Sequence, residues 1–146
     1  MSVKKAPLQE LEDAAHTYRR LFAVFRKFYD FAQGSNLPGV TVLNSLEGLP
    51  WFDMKFADVR LRIALSARRL GSDRGELFCY RFPMFFEDDP TVPTELIDKT
   101  EFLVETGETP LTDLQGGPVF LTLATSVPAV LAPWIVEALH KPRGGT

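Results

Sequence analysis

The sequence predicts an α+β fold in which a long N-terminal helix packs on a four- to five-stranded, mainly antiparallel sheet, with a short C-terminal helix. Three observations predict this fold. Apolar residues recur every three or four positions from Leu8 to Ala32, and they alternate with polar residues in the middle of the chain. The links between strand candidates are also too short for the crossovers that parallel strands need. The 146 residues contain no repeat or low-complexity linker, so we expect a single domain over 1–146 with a frayed tail at 141–146.

The N-terminal apolar stripe predicts a helix of about 26 residues, which Pro7 begins and Gly34 ends. Its members are Leu8, Leu11, Ala15, Tyr18, Phe22, Phe25, Tyr29 and Ala32. The same spacing fits a coiled coil, but coiled coils prefer Leu, Ile and Val at these positions, so packing on a sheet is the preferred interpretation. Because leaving so much aromatic surface in water is costly, we also expect a homodimer.

The central part of the chain predicts strands. A short strand is expected within 40–46, and 48–52 is expected to be irregular. Residues 58–82 are predicted to form a β-hairpin, because Val59, Leu61 and Ile63 alternate with polar residues and a turn-forming stretch follows.

The last part of the chain predicts a loop at 87–95, a helical turn at 95–99 and two further strands at 100–106 and 118–125. Ser126 is expected to cap a helix that ends near His140 and that Pro133 kinks or delays.

The orientation of the second hairpin strand decides what its outer face presents. If the aromatic residues of the strand face the helix, Arg81 joins Arg60 and Arg62 on a polar, positive sheet surface. In the opposite orientation, aromatic and arginine side chains share the outer face, which would suit stacking on bases or on a partner protein. Burial of the aromatic residues, which are Phe78, Tyr80 and Phe82, is the preferred expectation.

The residue inventory argues against several kinds of chemistry. Cys79 is the only cysteine and His16 and His140 are the only histidines, so neither a disulfide within the chain nor a cysteine-based zinc site is expected. No phosphate-binding glycine motif or nucleophile elbow occurs. We therefore expect no cofactor and lean against an enzyme. The start of the chain lacks the apolar stretch of a secretion signal, and no apolar segment is long enough to cross a membrane, so a cytoplasmic protein is expected.

Acidic residues are concentrated in one segment. Of the 19 acidic residues, nine lie between positions 87 and 113, where Lys99 is the only basic residue. Such a segment could bind a basic protein, imitate a nucleic-acid backbone, or neutralise arginines of the same molecule.

From these observations we predict a non-catalytic protein-binding module of the inhibitor, adaptor or chaperone type, in which the acidic segment and nearby aromatic residues contact a basic partner. The candidate partner-binding residues are Glu87, Asp88, Asp89, Glu95, Arg60 and Arg62. Carboxylate catalysis by residues 87–89 is disfavoured, because Pro90 and Pro93 suggest an exposed loop there.

Two alternatives remain open. One is a binder or enzyme for a small apolar ligand, with a cavity between helix and sheet lined by Phe22, Phe25, Phe28, Trp51 and Tyr80. The other is an inhibitor from a mobile element that imitates nucleic acid. Direct nucleic-acid binding through the hairpin arginines is not expected, since the isoelectric point is about 5.4. The element order and acidity are similar in outline to type III secretion chaperones, and the size is similar to anti-CRISPR inhibitors. Neither resemblance rests on a shared residue pattern, so neither assigns a role to any residue.

Overall fold

The computed structural model describes residues 6–43, 48–67, 72–83, 93 and 95–142. Within these ranges one helix precedes the strands in the sequence and a second helix follows them. The elements are α1 (Pro7–Gln33), β1 (Val40–Leu43), β2 (Trp51–Phe56), β3 (Val59–Ala67), β4 (Arg74–Arg81), β5 (Glu95–Leu103), β6 (Glu108–Thr112), β7 (Pro118–Phe120) and α2 (Ser126–His140). The predicted α+β class, with its long first helix and short last helix, is confirmed. Neither helix is both long enough and apolar enough to span a lipid bilayer.

Strands β1 to β5 form one antiparallel sheet in the order of the sequence, and β6 pairs with β7 in a separate two-stranded sheet. Both helices lie against the same side of the five-stranded sheet, which we name the inner face. Alternation along each strand sends every second side chain to this core. The strand residues that fill it include Phe52, Met54, Leu61, Ile63, Leu77, Cys79 and Phe102.

The second half of α1 supplies the aromatic part of the core. The ring centroids of Phe25, Phe28 and Tyr29 lie 5.7, 6.4 and 5.1 Å from that of Phe52 on β2. Tilted aromatic pairs at these distances add stabilisation beyond the area that they bury. This cluster fixes the position of α1 over the sheet.

Four local expectations were wrong. Residues 51 and 52 begin strand β2 rather than lying in an irregular segment, and 95–99 belong to β5 rather than to a helical turn. Strand β6 occupies a segment expected to be a connection. The hydroxyl of Ser126 donates a hydrogen bond to the Leu123 carbonyl, 2.7 Å away, and the structure has no side-chain cap on α2.

Strand β2 was missed because its turn lacks the usual sequence signal. A two-residue loop, Ala57 and Asp58, joins β2 to β3, and Ala57 has a φ of 53°. Glycine or asparagine normally occupies such a position, since a Cβ atom disfavours positive φ. Pairing of β2 with β3 therefore holds Ala57 at a positive φ, which alanine normally avoids.

Gly75 marks the closest approach between the sheet and α1. A Cβ atom at this position would lie 2.7 Å from Cζ of Phe102 and 2.9 Å from Cδ2 of Leu21, both fully buried. We expect Gly75→Ala to lower the free energy of unfolding by about 1–3 kcal/mol, because the packed ring and leucine must move. Urea denaturation measures this change.

Gly34→Ala is the matched control for that substitution. A Cβ atom at Gly34 would meet its nearest neighbour at 3.8 Å, and its φ of −86° suits any residue. Equal stability of the two variants would contradict the tight contact at Gly75.

Candidate functional site

The side of the five-stranded sheet that faces away from both helices, which we name the outer sheet face, carries the candidate site. Strand pairing arranges its side chains in rows across the sheet. One row runs through Leu43, Asp53, Arg62, Tyr80 and Leu96. The next row runs through Trp51, Ala64, Phe78 and Lys99. At one end Lys55 stands opposite Arg60, and at the other Ser66, Glu76 and Glu101 form a polar row.

Asp53 is the anchor of this surface. Its side chain is 2% exposed, and its two oxygens accept hydrogen bonds from both neighbouring arginines of β3. Arg62 donates through Nε at 2.7 Å and through Nη2 at 3.1 Å, and Arg60 donates through Nη2 at 2.6 Å. Charge-assisted pairs of this kind fix the direction of a guanidinium group as well as holding it. Asp53 has no distinguishing signal in the sequence, because only the pairing of β2 with β3 places it between the arginines.

Aromatic rings support the same two guanidinium groups from the side. Cζ of Arg60 lies 4.4 Å from the ring centroid of Phe82, and Cζ of Arg62 lies 5.0 Å from the same centroid. Cζ of Arg62 is also 5.1 Å from the ring centroid of Trp51. These cation–π contacts, together with Asp53, leave the arginines little rotational freedom. The outer sheet face is therefore a preordered surface.

Two stacked rings continue the surface onto β4. Phe78 and Tyr80 are half-buried, their centroids are 5.9 Å apart and their planes differ by 17°. Nζ of Lys99 lies 5.8 Å from the centroid of Phe78. The preferred expectation that these aromatic residues are buried was wrong for Phe78 and Tyr80: Leu77 and Cys79 take the inner face instead.

Ala64 is the smallest side chain of its row on the outer sheet face. It stands between Trp51 on β2 and Phe78 on β4, and its methyl group is much shorter than either ring. The backbones of the two flanking strands are about 10 Å apart, since neighbouring strands are separated by about 4.8 Å.

A groove of about 460 Å³ lies at the end of this surface, beside the turn between β2 and β3. Leu43, Phe82 and Pro83 give it apolar walls, and Lys55 and Arg60 contribute positive charge. The groove thus combines an apolar surface with cations that can pair with a carboxylate.

The predicted partner-binding residues are distributed over different parts of the structure. Arg60 and Arg62 lie on the outer sheet face, as described above. Glu95 does not join them: both of its oxygens accept hydrogen bonds from Nη2 of Arg81, at 2.9 and 2.8 Å. Glu87, Asp88 and Asp89 lie outside the residues that the structure describes.

Arg81 has a structural role that its place in the sequence did not indicate. Its side chain is 3% exposed, and Nη1 donates hydrogen bonds to the carbonyls of Ala138 and Lys141, at 2.6 and 2.8 Å. The last carbonyls of a helix lack partners within the helix and carry partial negative charge. Arg81 therefore stabilises the C-terminal end of α2 instead of contributing to the outer sheet face.

Further acidic residues of the segment from 87 to 113 pair within the molecule. Glu101 bonds to Arg74 at 2.8 Å, and Glu105 lies 3.7 Å from Arg20. These contacts are exposed, so each contributes little to stability. Their consequence is that much of the described acidic segment faces the protein's own basic side chains.

The residues considered for catalysis are kept apart by burial. Cys79 is fully buried, whereas His16 and His140 are exposed. Burial, together with the negative charges of Asp98 and Glu137, raises the pKa of the Cys79 thiol far above its usual value. Reactive cysteines need the opposite, a lowered pKa and access to solvent. In the part of the chain that the structure describes, no three His, Cys, Asp or Glu side chains are grouped to hold a metal ion.

The five residues expected to line a cavity between helix and sheet do not come together. Phe25 and Phe28 of α1 are fully buried between this helix and the sheet, but Trp51 and Tyr80 lie on the outer sheet face. The sheet itself separates the two groups.

Comparisons of the chain with protein-family models, with curated proteins and with solved structures found no match.

We expect Asp53→Asn to lower the free energy of unfolding by about 2 kcal/mol, because two guanidinium groups lose the buried carboxylate to which both are hydrogen-bonded. The partial exposure of Arg60 and Arg62 keeps this effect below that of a fully buried pair. Urea denaturation measures it. The exposed Asp58 lies in the adjacent turn, and Asp58→Asn is the control that should match the unchanged protein.

We expect Cys79 to react with a thiol reagent such as dithionitrobenzoate at least about 100-fold more slowly in the folded protein than in urea, because it is buried and its thiol stays protonated. Above about pH 9 the unfolded thiol loses its proton and the folded thiol keeps it, so this group makes the protein less stable as pH rises. Rapid modification of the native protein would contradict the burial of Cys79.

Proposed function

We propose that the protein is a non-catalytic protein-binding module and that the outer sheet face is its docking surface. The observation that carries the proposal is that Trp51, Arg62 and Tyr80 lie side by side on the outer sheet face, with Arg62 held against the Trp51 ring. Tryptophan, arginine and tyrosine are the residue types most enriched where a few side chains dominate protein binding.

Preordering by Asp53 supports this role. A flexible arginine loses conformational entropy when it is immobilised in an interface, at a cost of about 0.5–1.5 kcal/mol for each such side chain. Arg60 and Arg62 are already held by Asp53 and by the rings of Phe82 and Trp51. Most of this cost is therefore met when the chain folds, and less of the binding energy is lost on association.

The shape of the surface indicates what the partner presents. We propose that one apolar or aromatic side chain of the partner lies over Ala64, the small residue between Trp51 and Phe78, and that the groove beside Lys55 and Arg60 accepts an apolar group next to a carboxylate. We propose a partner segment that carries both features. One carboxylate, that of Asp58, also lines the groove beside the two cations.

The charge of the surface favours a protein over a nucleic acid. Five basic residues, Lys55, Arg60, Arg62, Arg74 and Lys99, share this face with three acidic ones, Asp53, Glu76 and Glu101. Binding to single-stranded nucleic acid requires several cations that are free to neutralise phosphates, in addition to stacked rings. Phe78 and Tyr80 could stack on bases, but the nearby cations are largely offset.

The proposed module is of the inhibitor, adaptor or chaperone type, because each of these would use such a surface. Contact of a basic partner with residues 87–89 stays a prediction, because those residues lie outside the described ranges. A single buried cysteine suits a reducing compartment, so we also propose a cytoplasmic location.

The test is selection of binders from a phage-displayed library of random 12-residue peptides on the immobilised protein. We expect the selected peptides to share an aromatic or large apolar residue near an acidic one. Trp51→Ala and Tyr80→Ala should each weaken their binding about 10- to 30-fold, because truncation removes a wall or platform of the surface. Ala64→Trp should also abolish binding, since its indole ring would occupy the place proposed for the partner's side chain.

Tyr18→Ala is the matched control, because Tyr18 is an exposed aromatic residue on α1. Circular dichroism of each variant checks folding. Failure to enrich any peptide sequence, or equal binding by Ala64→Trp, would refute the proposal. Fluorescence anisotropy with labelled single-stranded oligo(dT) at low salt is the second arm, and binding that is lost on Tyr80→Ala would assign the surface to nucleic acid instead.

A further inference from the structure

The two halves of α1 have opposite environments. From Pro7 to Arg20 the helix contains no buried side chain, whereas the half from Leu21 to Gln33 contains six. Within the first half Leu8 is 66% exposed, Leu11 65% and Tyr18 38%. The first half therefore leaves an apolar stripe in solvent over about 20 Å of helix.

This exposed stripe continues directly into the core. The ring centroids of Tyr18 and Phe22 are 6.4 Å apart, as are those of Phe22 and Phe25, and Phe25 packs on Phe52. The spacing of three and four residues is unbroken from Leu8 to Ala32. Packing on the sheet accounts for the second half of the stripe only, so the coiled-coil interpretation applies to the first half.

The charges beside the stripe complement one another across a two-fold axis. Leu11, Ala15, Tyr18 and Phe22 occupy the seam positions of a heptad repeat, and Glu12 and Arg19 both occupy the flanking position e. Both are exposed, and neither forms an ion pair with another described residue. In an antiparallel helix pair, e positions of the two helices face each other, so a glutamate and an arginine seven residues apart can pair reciprocally.

We infer that a second copy of this chain covers α1 from Leu11 to Phe22, in an antiparallel helix pair whose two-fold axis lies level with the peptide bond between His16 and Thr17. Leu11 then faces Phe22 of the second copy, and Ala15 faces Tyr18 of the second copy. Glu12 pairs with Arg19 of the second copy, and the symmetry repeats every contact, as a two-fold dimer requires.

A parallel pair would not use these charges. Position e of one helix then faces position g of the other, and the g positions are Pro7 and Ala14, which carry no charge. The antiparallel arrangement also places the sheets of the two copies at opposite ends of the helix pair, because each sheet packs on the C-terminal half of its own α1.

Charge-exchange variants test the pairing by analytical ultracentrifugation over a range of protein concentrations. We expect the unchanged protein to dimerise, and Glu12→Arg or Arg19→Glu to raise the dissociation constant about tenfold or more, because each replaces two attractions with two repulsions. The double variant should regain the affinity of the unchanged protein. An equimolar mixture of the two single variants should form a heterodimer.

Glu10→Arg is the matched control, because it makes the same change of charge at an exposed position off the seam. Circular dichroism confirms that each variant keeps its helices. A monomer at about 100 µM unchanged protein, or single variants that do not associate when mixed, would overturn the inference. Peptide binding to the outer sheet face should be unaffected by Glu12→Arg, so failure of one proposal is distinguishable from failure of the other.

Discussion

The position of Phe52 among three aromatic side chains of α1 is the constraint on which the rest of the structure depends. Because successive side chains of a strand point to opposite faces, burial of Phe52 sends its neighbours Trp51 and Asp53 outward. A slip of one residue would place the Asp53 carboxylate in the apolar core, at a large cost in desolvation. One aromatic cluster thus orients both the core and the outer sheet face.

The outer sheet face then follows from the pairing of strands. Asp53 stands opposite Arg62, which in turn stands opposite Tyr80, so an anion, a cation and a ring come into line from three separate strands. Asp53 holds the guanidinium group of Arg62 through two hydrogen bonds. A rigid surface loses little entropy when a partner binds, which is why we propose binding at this face and not at the ion-paired acidic residues of β5.

The buried Arg81 and its partner Glu95 stabilise the fold and do not contribute to the outer sheet face. The Arg81 side chain is desolvated where it binds the end of α2 and Glu95. Its Nε is buried without an acceptor among the described residues. Such an arrangement connects β4, β5 and α2 at one point. Arg81 was considered for a positive sheet surface with Arg60 and Arg62, but its contacts stabilise the fold instead.

The sequence by itself determined the elements with a strong local pattern: α1, from its unbroken stripe and its flanking Pro7 and Gly34, and the hairpin of β3 and β4, from alternation. It did not determine β2, because Ala57 gives no signal for the turn that follows, nor the orientation of β4, whose two faces are similarly apolar. Tertiary structure decided that orientation, because the close approach of Leu21 and Phe102 admits only Gly75 on the inner face, and alternation then places Leu77 and Cys79 inside and Phe78 and Tyr80 outside. Asp53 became a site residue for the same reason: contacts between strands depend on register, which no local pattern encodes.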